Sequence, residues 1–113
     1  MLDKAAVRKI AEQYTEEVKK VLNPSSVVLF GSYVNGNPSE LSDIDIAVIM
    51  RDYHGNWLET HSMLFALKRQ VNLDIEPHLL DETCDKSGFV DYVLRTGNII
   101  YKMADNVEQS SQL

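Results

Sequence analysis

The sequence of 113 residues is poor in cysteine, in proline and in basic side chains. Cys84 is the single cysteine, which excludes an internal disulfide and a metal site built from cysteines. We therefore expect a reducing, cytoplasmic location. Eleven Lys and Arg residues stand against 17 Asp and Glu, so the formal net charge is −6. This balance argues against a broad basic face that would bind nucleic acid directly.

Long apolar runs are also missing from the sequence. The longest, 27–30 and 44–50, are far shorter than the roughly 20 residues that a membrane helix needs. The first residues alternate charge within a helical pattern, so we expect no signal peptide. With 44% hydrophobic and 25% charged residues, the composition is typical of a globular protein. We expect one domain over 1–104, followed by a polar tail, 105–113, that is disordered.

The hydrophobic pattern predicts that helices and strands alternate along the chain. Apolar residues recur every three or four positions over 3–22, which indicates a helix, and Pro24 ends it. A loop or short helical turn is expected at 31–42, and Gly97 is expected to be a left-handed helix cap. The other predicted elements are strands at 27–30, 44–50, 71–79 and 98–103 and helices at 57–69 and 88–95. The fold class is therefore α/β (α+β), with a mixed sheet flanked by helices.

Gly31 and Ser32 directly follow the first predicted strand, and Gly36 lies four residues beyond the serine. Glycine lets a backbone approach a ligand closely, and amides that leave a strand into a helical turn can bind an anion. The Ser32 hydroxyl adds a donor for a phosphate oxygen. Gly-Ser after a strand is also an ordinary turn, and on this pair alone a turn is the more frequent interpretation.

Two aspartates, Asp43 and Asp45, lie at the start of the second predicted strand. Side chains two apart on a strand share a face, with Cα atoms about 6.6 Å apart. Two carboxylates on one face of an apolar strand repel each other unless a cation lies between them, and Mg²⁺ prefers such ligands. The alternative is a solvated strand end with exposed aspartates.

A second acidic pair, Asp74 and Glu76, lies in the third predicted strand. A carboxylate from a neighbouring strand would complete a two-metal site, in which ions about 4 Å apart activate the attacking oxygen and stabilise the leaving phosphate. The alternative is an edge strand with one polar face.

Taken together, Gly31-Ser32, Gly36, Ser42-Asp43-Ile44-Asp45 and Asp74 resemble the DNA polymerase β-like nucleotidyltransferase superfamily. The stretch 29–49, LFGSYVNGNPSELSDIDIAVI, is similar to its small branch, the minimal nucleotidyltransferases. The resemblance covers roughly 27–80. It implies that Gly31 and Ser32 hold a nucleoside triphosphate, and that Asp43, Asp45 and a later carboxylate bind two Mg²⁺.

The third carboxylate is ambiguous, because Asn72, Asp74 and Glu76 are expected on one strand face. We prefer Asp74, as a mid-strand residue with room for metal, and take Glu76 second. If the third acidic position of the family corresponded to Asn72, two-metal catalysis would be impaired. Many relatives also carry a basic residue in the glycine loop, where this chain has Tyr33, Val34 and Asn35.

The remaining candidates are weaker on sequence grounds. His54, His61 and His78 do not have the spacing of a zinc site. His78 follows Glu76 closely and could hydrogen-bond a substrate, although a structural role is more common for such a residue. Tyr53, Trp57 and Phe65 could stack on a base, but aromatic residues beside a helix are more often core.

The resemblance implies an enzyme that transfers AMP from ATP to a hydroxyl, with ATP as substrate and Mg²⁺ as cofactor. The chain is expected to be too short for a separate acceptor domain. Minimal nucleotidyltransferases resemble antitoxins whose partner is a helical HEPN-type RNase toxin, and the acceptor would then be a toxin tyrosine. Two alternatives stay open: a catalytically silent module that neutralises its partner by contact, and a small-molecule nucleotidyltransferase.

Overall fold

The computed structural model describes residues 3–36 and 43–104. Ser42 and the predicted tail 105–113 lie outside them. In chain order, the elements are α1 (Lys4–Val21), β1 (Ser26–Phe30), α2 (Ser32–Asn35), β2 (Ile44–Met50), α3 (Trp57–Lys68), β3 (Ile75–Asp81), α4 (Phe89–Thr96) and β4 (Asn98–Lys102). In this part of the chain, none of the helices has both the length and the apolar character needed to cross a bilayer.

The four strands form one sheet in the order β3-β2-β1-β4. β1 pairs antiparallel with both β2 and β4, whereas β2 pairs parallel with β3. The sheet is therefore mixed and carries helices on both faces, as the sequence predicted. All five residues of β1 are buried, as expected for a central strand covered on both faces.

Each face of the sheet packs against its own helices. On one face, α1 and α3 cover apolar side chains of β2, namely Ile44, Ile46 and Val48. On the other face, Val90 and Val93 of α4 cover a smaller cluster formed by Val28, Phe30, Ala47 and Ile49. Because side chains alternate along a strand, Asp45 lies on the face that α4 covers.

Helix α1 is defined by its N-terminal cap and by its buried stripe. The Asp3 carboxylate accepts a hydrogen bond from the Ala6 N–H at 2.8 Å, so it satisfies one of the free amides of the first turn. In the core, the Tyr14 hydroxyl donates to the carbonyl oxygen of Leu64 in α3 at 2.7 Å. Burial raises the pKa of the Tyr14 phenol far above its usual value.

The predicted third strand starts too early. Residues after α3 fold back in turns, in which the N–H groups of Val71 and Asn72 both donate to the carbonyl of Lys68. The Asn72 side chain then accepts from the Asp74 N–H at 2.8 Å. Apolar alternation at 71, 73 and 75 resembles a strand, but these local hydrogen bonds favour turns. β3 therefore begins at Ile75, and the expected shared strand face of Asn72, Asp74 and Glu76 is wrong.

The prediction for Gly97 is also wrong. Its φ is −89°, so this residue is not a left-handed cap. Glycine is required here for lack of space instead. A Cβ at this position would lie 2.6 Å from Val28 Cγ1 and 2.8 Å from the carbonyl oxygens of Leu29 and Val93. The end of α4 thus approaches β1 closely, which only a residue without a side chain permits.

Candidate active site

The strand directions bring the sequence-predicted site residues to one edge of the sheet. β1 runs antiparallel to β2, so its C-terminal end meets the start of β2, and β3 starts beside β2 because those two strands are parallel. Gly31 and Ser32 follow the end of β1, and Asp43 immediately precedes β2. Segments far apart in the sequence therefore bring the Gly-Ser turn and the carboxylates to the same edge.

The Asp45 carboxylate lies against Gly31. A Cβ placed on Gly31 would collide with Asp45 Oδ2 and would lie 3.1 Å from its Cγ. Gly31 also has φ +86° and ψ −153°, a region that only glycine adopts readily. The glycine expected to bind phosphate is therefore in contact with the aspartate expected to bind metal, which the sequence did not indicate.

Among the described residues, His78 is the side chain that hydrogen-bonds the Asp45 carboxylate, with 3.0 Å between Nε2 and Oδ1. The two side chains are 32% and 25% exposed, so the pair is partly shielded from water. The His78 ring packs edge-on against Phe30, with 5.0 Å between the ring centroids. Sequence reasoning missed this contact, although His78 lies two positions after Glu76 and thus on the same strand face.

Glu76 and Asp74 occupy different positions relative to Asp45. Glu76 stands directly opposite Asp45 in the parallel register of β2 and β3. Asp74 lies in the turn before β3; its carbonyl accepts from the Ile44 N–H at 2.8 Å while its side chain is exposed. The sequence-based reason for preferring Asp74, a mid-strand position, therefore does not hold.

The Gly-Ser turn continues into α2, which is a single helical turn. The N–H groups of Val34 and Asn35 donate to the Gly31 carbonyl at 3.0 and 2.9 Å, which leaves the first amides of the turn without a helical partner. Tyr33 is only 7% exposed and belongs to the core beneath α1. It therefore stabilises the turn by packing, within the loop in which many relatives are expected to carry a basic side chain.

The carboxylate groups at this edge are of the kind that binds a hard cation, but their side chains are not gathered around one point. Asp43, Asp45 and Glu76 offer carboxylate oxygens, the ligand type that Mg²⁺ prefers. Among residues 3–36 and 43–104, no three His, Cys, Asp or Glu side chains form a metal-binding group.

Other residues singled out in the sequence lie elsewhere. Tyr53 and Trp57 contact each other near the C-terminal end of β2, with their ring centroids 6.1 Å apart. His61 contacts Phe65 on the same helix, with a centroid distance of 4.9 Å. His54 is within 3.3 Å of Asp52, also beyond the C-terminal end of β2. These positions do not join the edge that carries Asp45.

Residues 12–106 match the family model described as polymerase beta, nucleotidyltransferase. That match covers most of the chain, and the protein belongs to the polymerase beta nucleotidyltransferase family. No curated protein matches the sequence.

Solved structures share the fold. A candidate nucleotidyltransferase from Sulfolobus solfataricus is 24% identical, with a TM-score of 0.64 over 88% of this chain and 83% of that one. A toxin–antitoxin structure with AMP-PNP is 26% identical, with a TM-score of 0.57 over 86% of this chain and 77% of that one. A variant of the toxin–antitoxin MntA-HpeT is 22% identical, with a TM-score of 0.51 over 95% and 79%. The chain is thus similar to structures of toxin–antitoxin systems.

Proposed function

We propose that this chain is a Mg²⁺-dependent nucleotidyltransferase that transfers AMP from ATP to a tyrosine hydroxyl of a HEPN-type toxin and thereby acts as an antitoxin. The observation that carries the proposal is the position of Asp45. Its carboxylate lies between the Gly31 turn on one side and the Glu76 position of the neighbouring strand on the other. A phosphate-binding turn and acidic ligands at one place are what nucleotidyl transfer requires.

Asp43, Asp45 and one later carboxylate would hold two Mg²⁺. For the third position we place Glu76 first and Asp74 second, because Glu76 is directly beside Asp45 in the sheet. Bound Mg²⁺ would neutralise the charge that develops on the phosphates. Gly31 and Ser32 would hold the triphosphate, Gly31 through close backbone approach and Ser32 through its hydroxyl and the free amides of the turn.

The proposed transfer forms one bond and breaks one bond. The tyrosine oxygen attacks the α-phosphorus of ATP, and the bond from that phosphorus to the oxygen leading to the β-phosphate breaks. Pyrophosphate leaves with that electron pair. The hydroxyl proton passes to a carboxylate of the site, a role for which Glu76 is suited by its half-exposed position.

Two observations support a toxin as the acceptor. One is the similarity to solved toxin–antitoxin structures, one of which contains AMP-PNP. The other is the net charge of −6, which favours a basic protein partner over free nucleic acid.

A second candidate function is neutralisation of the partner by contact alone. It is favoured by residues 33–35, which carry no basic side chain for the triphosphate, and by the burial of Tyr33. Calorimetric titration with ATP, with and without Mg²⁺, separates the two functions. A silent site binds no ATP in a Mg²⁺-dependent way, whereas an active one does.

Transfer itself is tested with ATP labelled on the α- or γ-phosphate and a purified HEPN-type toxin as the acceptor. Label from the α-phosphate, and none from the γ-phosphate, is expected on the partner. Asp43→Asn is expected to abolish the labelling while its circular dichroism spectrum stays that of the unmodified protein. Persistent labelling by this variant would contradict the metal assignment.

A further inference from the structure

Among the described residues, the side chain hydrogen-bonded to the Asp45 carboxylate is His78. Nε2 lies 3.0 Å from Oδ1. A carboxylate oxygen only accepts hydrogen bonds, so Nε2 carries the hydrogen and donates it. The other oxygen, Oδ2, is the one that lies against Gly31. One oxygen is therefore held by β3, and the other faces the glycine turn.

The His78 ring is itself held in place by its neighbours. It packs edge-on against Phe30, which in turn contacts Phe89 of α4 with 5.7 Å between the ring centroids. Phe30 is 8% exposed and stands opposite Asp45 in the antiparallel register. An imidazole in such a setting loses little conformational freedom when it donates to Asp45, so the hydrogen bond is prepared before any ligand binds.

We propose that His78 is a positioning residue, which holds Asp45 Oδ1 so that Oδ2 is presented to a divalent cation beside the Gly31 turn. This inference rests on the proposed function, since it concerns the metal site of that function. It goes beyond that function, because it assigns to His78 a role that the proposed function does not use. A carboxylate oxygen has more than one lone pair, so the hydrogen bond from His78 and cation binding by the same carboxylate are compatible. Partners of this kind commonly change metal affinity 10- to 100-fold.

The first test measures metal binding without nucleotide or partner, so it does not depend on activity. Mn²⁺ replaces Mg²⁺, and the free ion is followed by electron paramagnetic resonance. His78→Ala is expected to weaken Mn²⁺ binding at least about tenfold. His78→Gln places an amide N–H near the position of Nε2 and is expected to restore most of the affinity.

His54 supplies a matched control variant. It also lies near an aspartate, with 3.3 Å between Nε2 and Asp52 Oδ1, but both side chains are strongly exposed and lie beyond the other end of β2. His54→Ala is expected to bind Mn²⁺ as the unmodified protein does. Unchanged affinity in His78→Ala, or equal weakening in His78→Gln and His78→Ala, overturns the inference.

A second measurement keeps the inference testable if a variant folds poorly. In the metal-free, unmodified protein, a long-range ¹H–¹⁵N spectrum of the imidazoles is expected to find a proton on His78 Nε2. A ring with Nε2 unprotonated overturns the inference, whatever the metal affinity. Absence of Mn²⁺ binding by the unmodified protein, with Nε2 protonated, would instead contradict the proposed function.

Discussion

Asp45 on β2 stands directly opposite Glu76 on β3, in the parallel half of the mixed sheet. Neighbouring strands lie about 4.8 Å apart, so the two carboxylate side chains leave the same face at adjacent positions. The exposed Asp74 precedes β3 and is outside this register. The relationship gives a direct way to identify the third carboxylate of the site.

Glu76→Gln is expected to reduce nucleotidyl transfer by roughly 100-fold or more, because a metal ligand contributes several kcal/mol to stabilisation of the transition state. Asp74→Asn, which makes the same chemical change in the turn, is expected to keep most of the activity. Both are measured by incorporation of α-labelled phosphate into the partner. If the losses were reversed, the third ligand would be Asp74.

Gly31→Ala is expected to destabilise the fold and to weaken ATP binding. The new methyl group would collide with the Asp45 carboxylate, and the backbone there has φ +86°. Strain of this kind costs about 1–3 kcal/mol before the collision is counted. Urea denaturation and calorimetric titration with ATP measure the two effects.

Gly36→Ala is the control for the Gly31 substitution. Its φ is +87°, but a Cβ there would have no neighbour within 4 Å among residues 3–36 and 43–104. A left-handed backbone costs a non-glycine residue about 1–2 kcal/mol, so this variant is expected to be only moderately less stable. Equal losses in both variants would mean that contact with Asp45 is unimportant.

Tyr14→Phe is expected to lower the free energy of unfolding by about 1 kcal/mol at neutral pH, since it removes the hydrogen bond to Leu64. Burial raises the pKa of the folded phenol above its value of about 10 in an unfolded chain. The contribution of the Tyr14 hydroxyl to the free energy of unfolding is therefore fully present below pH 10. It decreases as the pH rises above 10, because the unfolded state then loses the proton while the folded state keeps it.

Urea denaturation of both proteins between pH 7 and pH 11 tests this prediction. The difference in unfolding free energy between the unmodified protein and Tyr14→Phe is expected to shrink above pH 10. A difference that stays constant over this range would contradict the assignment to Tyr14.

Asp81→Asn is expected to destabilise the protein by about 1–2 kcal/mol at pH 7, because hydrogen bonds to a charged group are lost. Desolvation by burial raises the pKa of Asp81. Hydrogen bonds to its carboxylate have the opposite and larger effect, and they lower the pKa to about 2. The donors are the Thr83 hydroxyl and the N–H groups of Tyr53, Thr83 and Asp52. These bonds also hold Asp52, whose φ is +52°.

The sign of the pH dependence follows from this lowered pKa. An unfolded aspartate titrates near 3.9, so the stabilisation is present above that pH and is lost as the pH falls through about 2. The difference between the unmodified protein and Asp81→Asn, measured by urea denaturation, is therefore expected to shrink below pH 4. A difference that grows on acidification would contradict this.

Short-range patterns in the sequence were sufficient for most of the fold. β2 begins and ends where its apolar run predicted, at Ile44 and Met50, and all of its residues except Asp45 are buried. The third strand was misplaced because apolar residues at 71, 73 and 75 have the period of a strand. In the folded chain, hydrogen bonds to Lys68 and from Asp74 to Asn72 turn that segment instead.

By itself, the sequence predicted the mixed sheet through local periodicity, and it predicted the family through the resemblance that Gly31, Ser32, Asp43 and Asp45 carry at their spacing along the chain. Only the tertiary structure decided which residues from other strands meet Asp45. Strand register and direction place Glu76 beside it, and packing on Phe30 aims His78 at it. Such contacts join positions more than 30 residues apart, where the pattern of one strand carries no information about its neighbour.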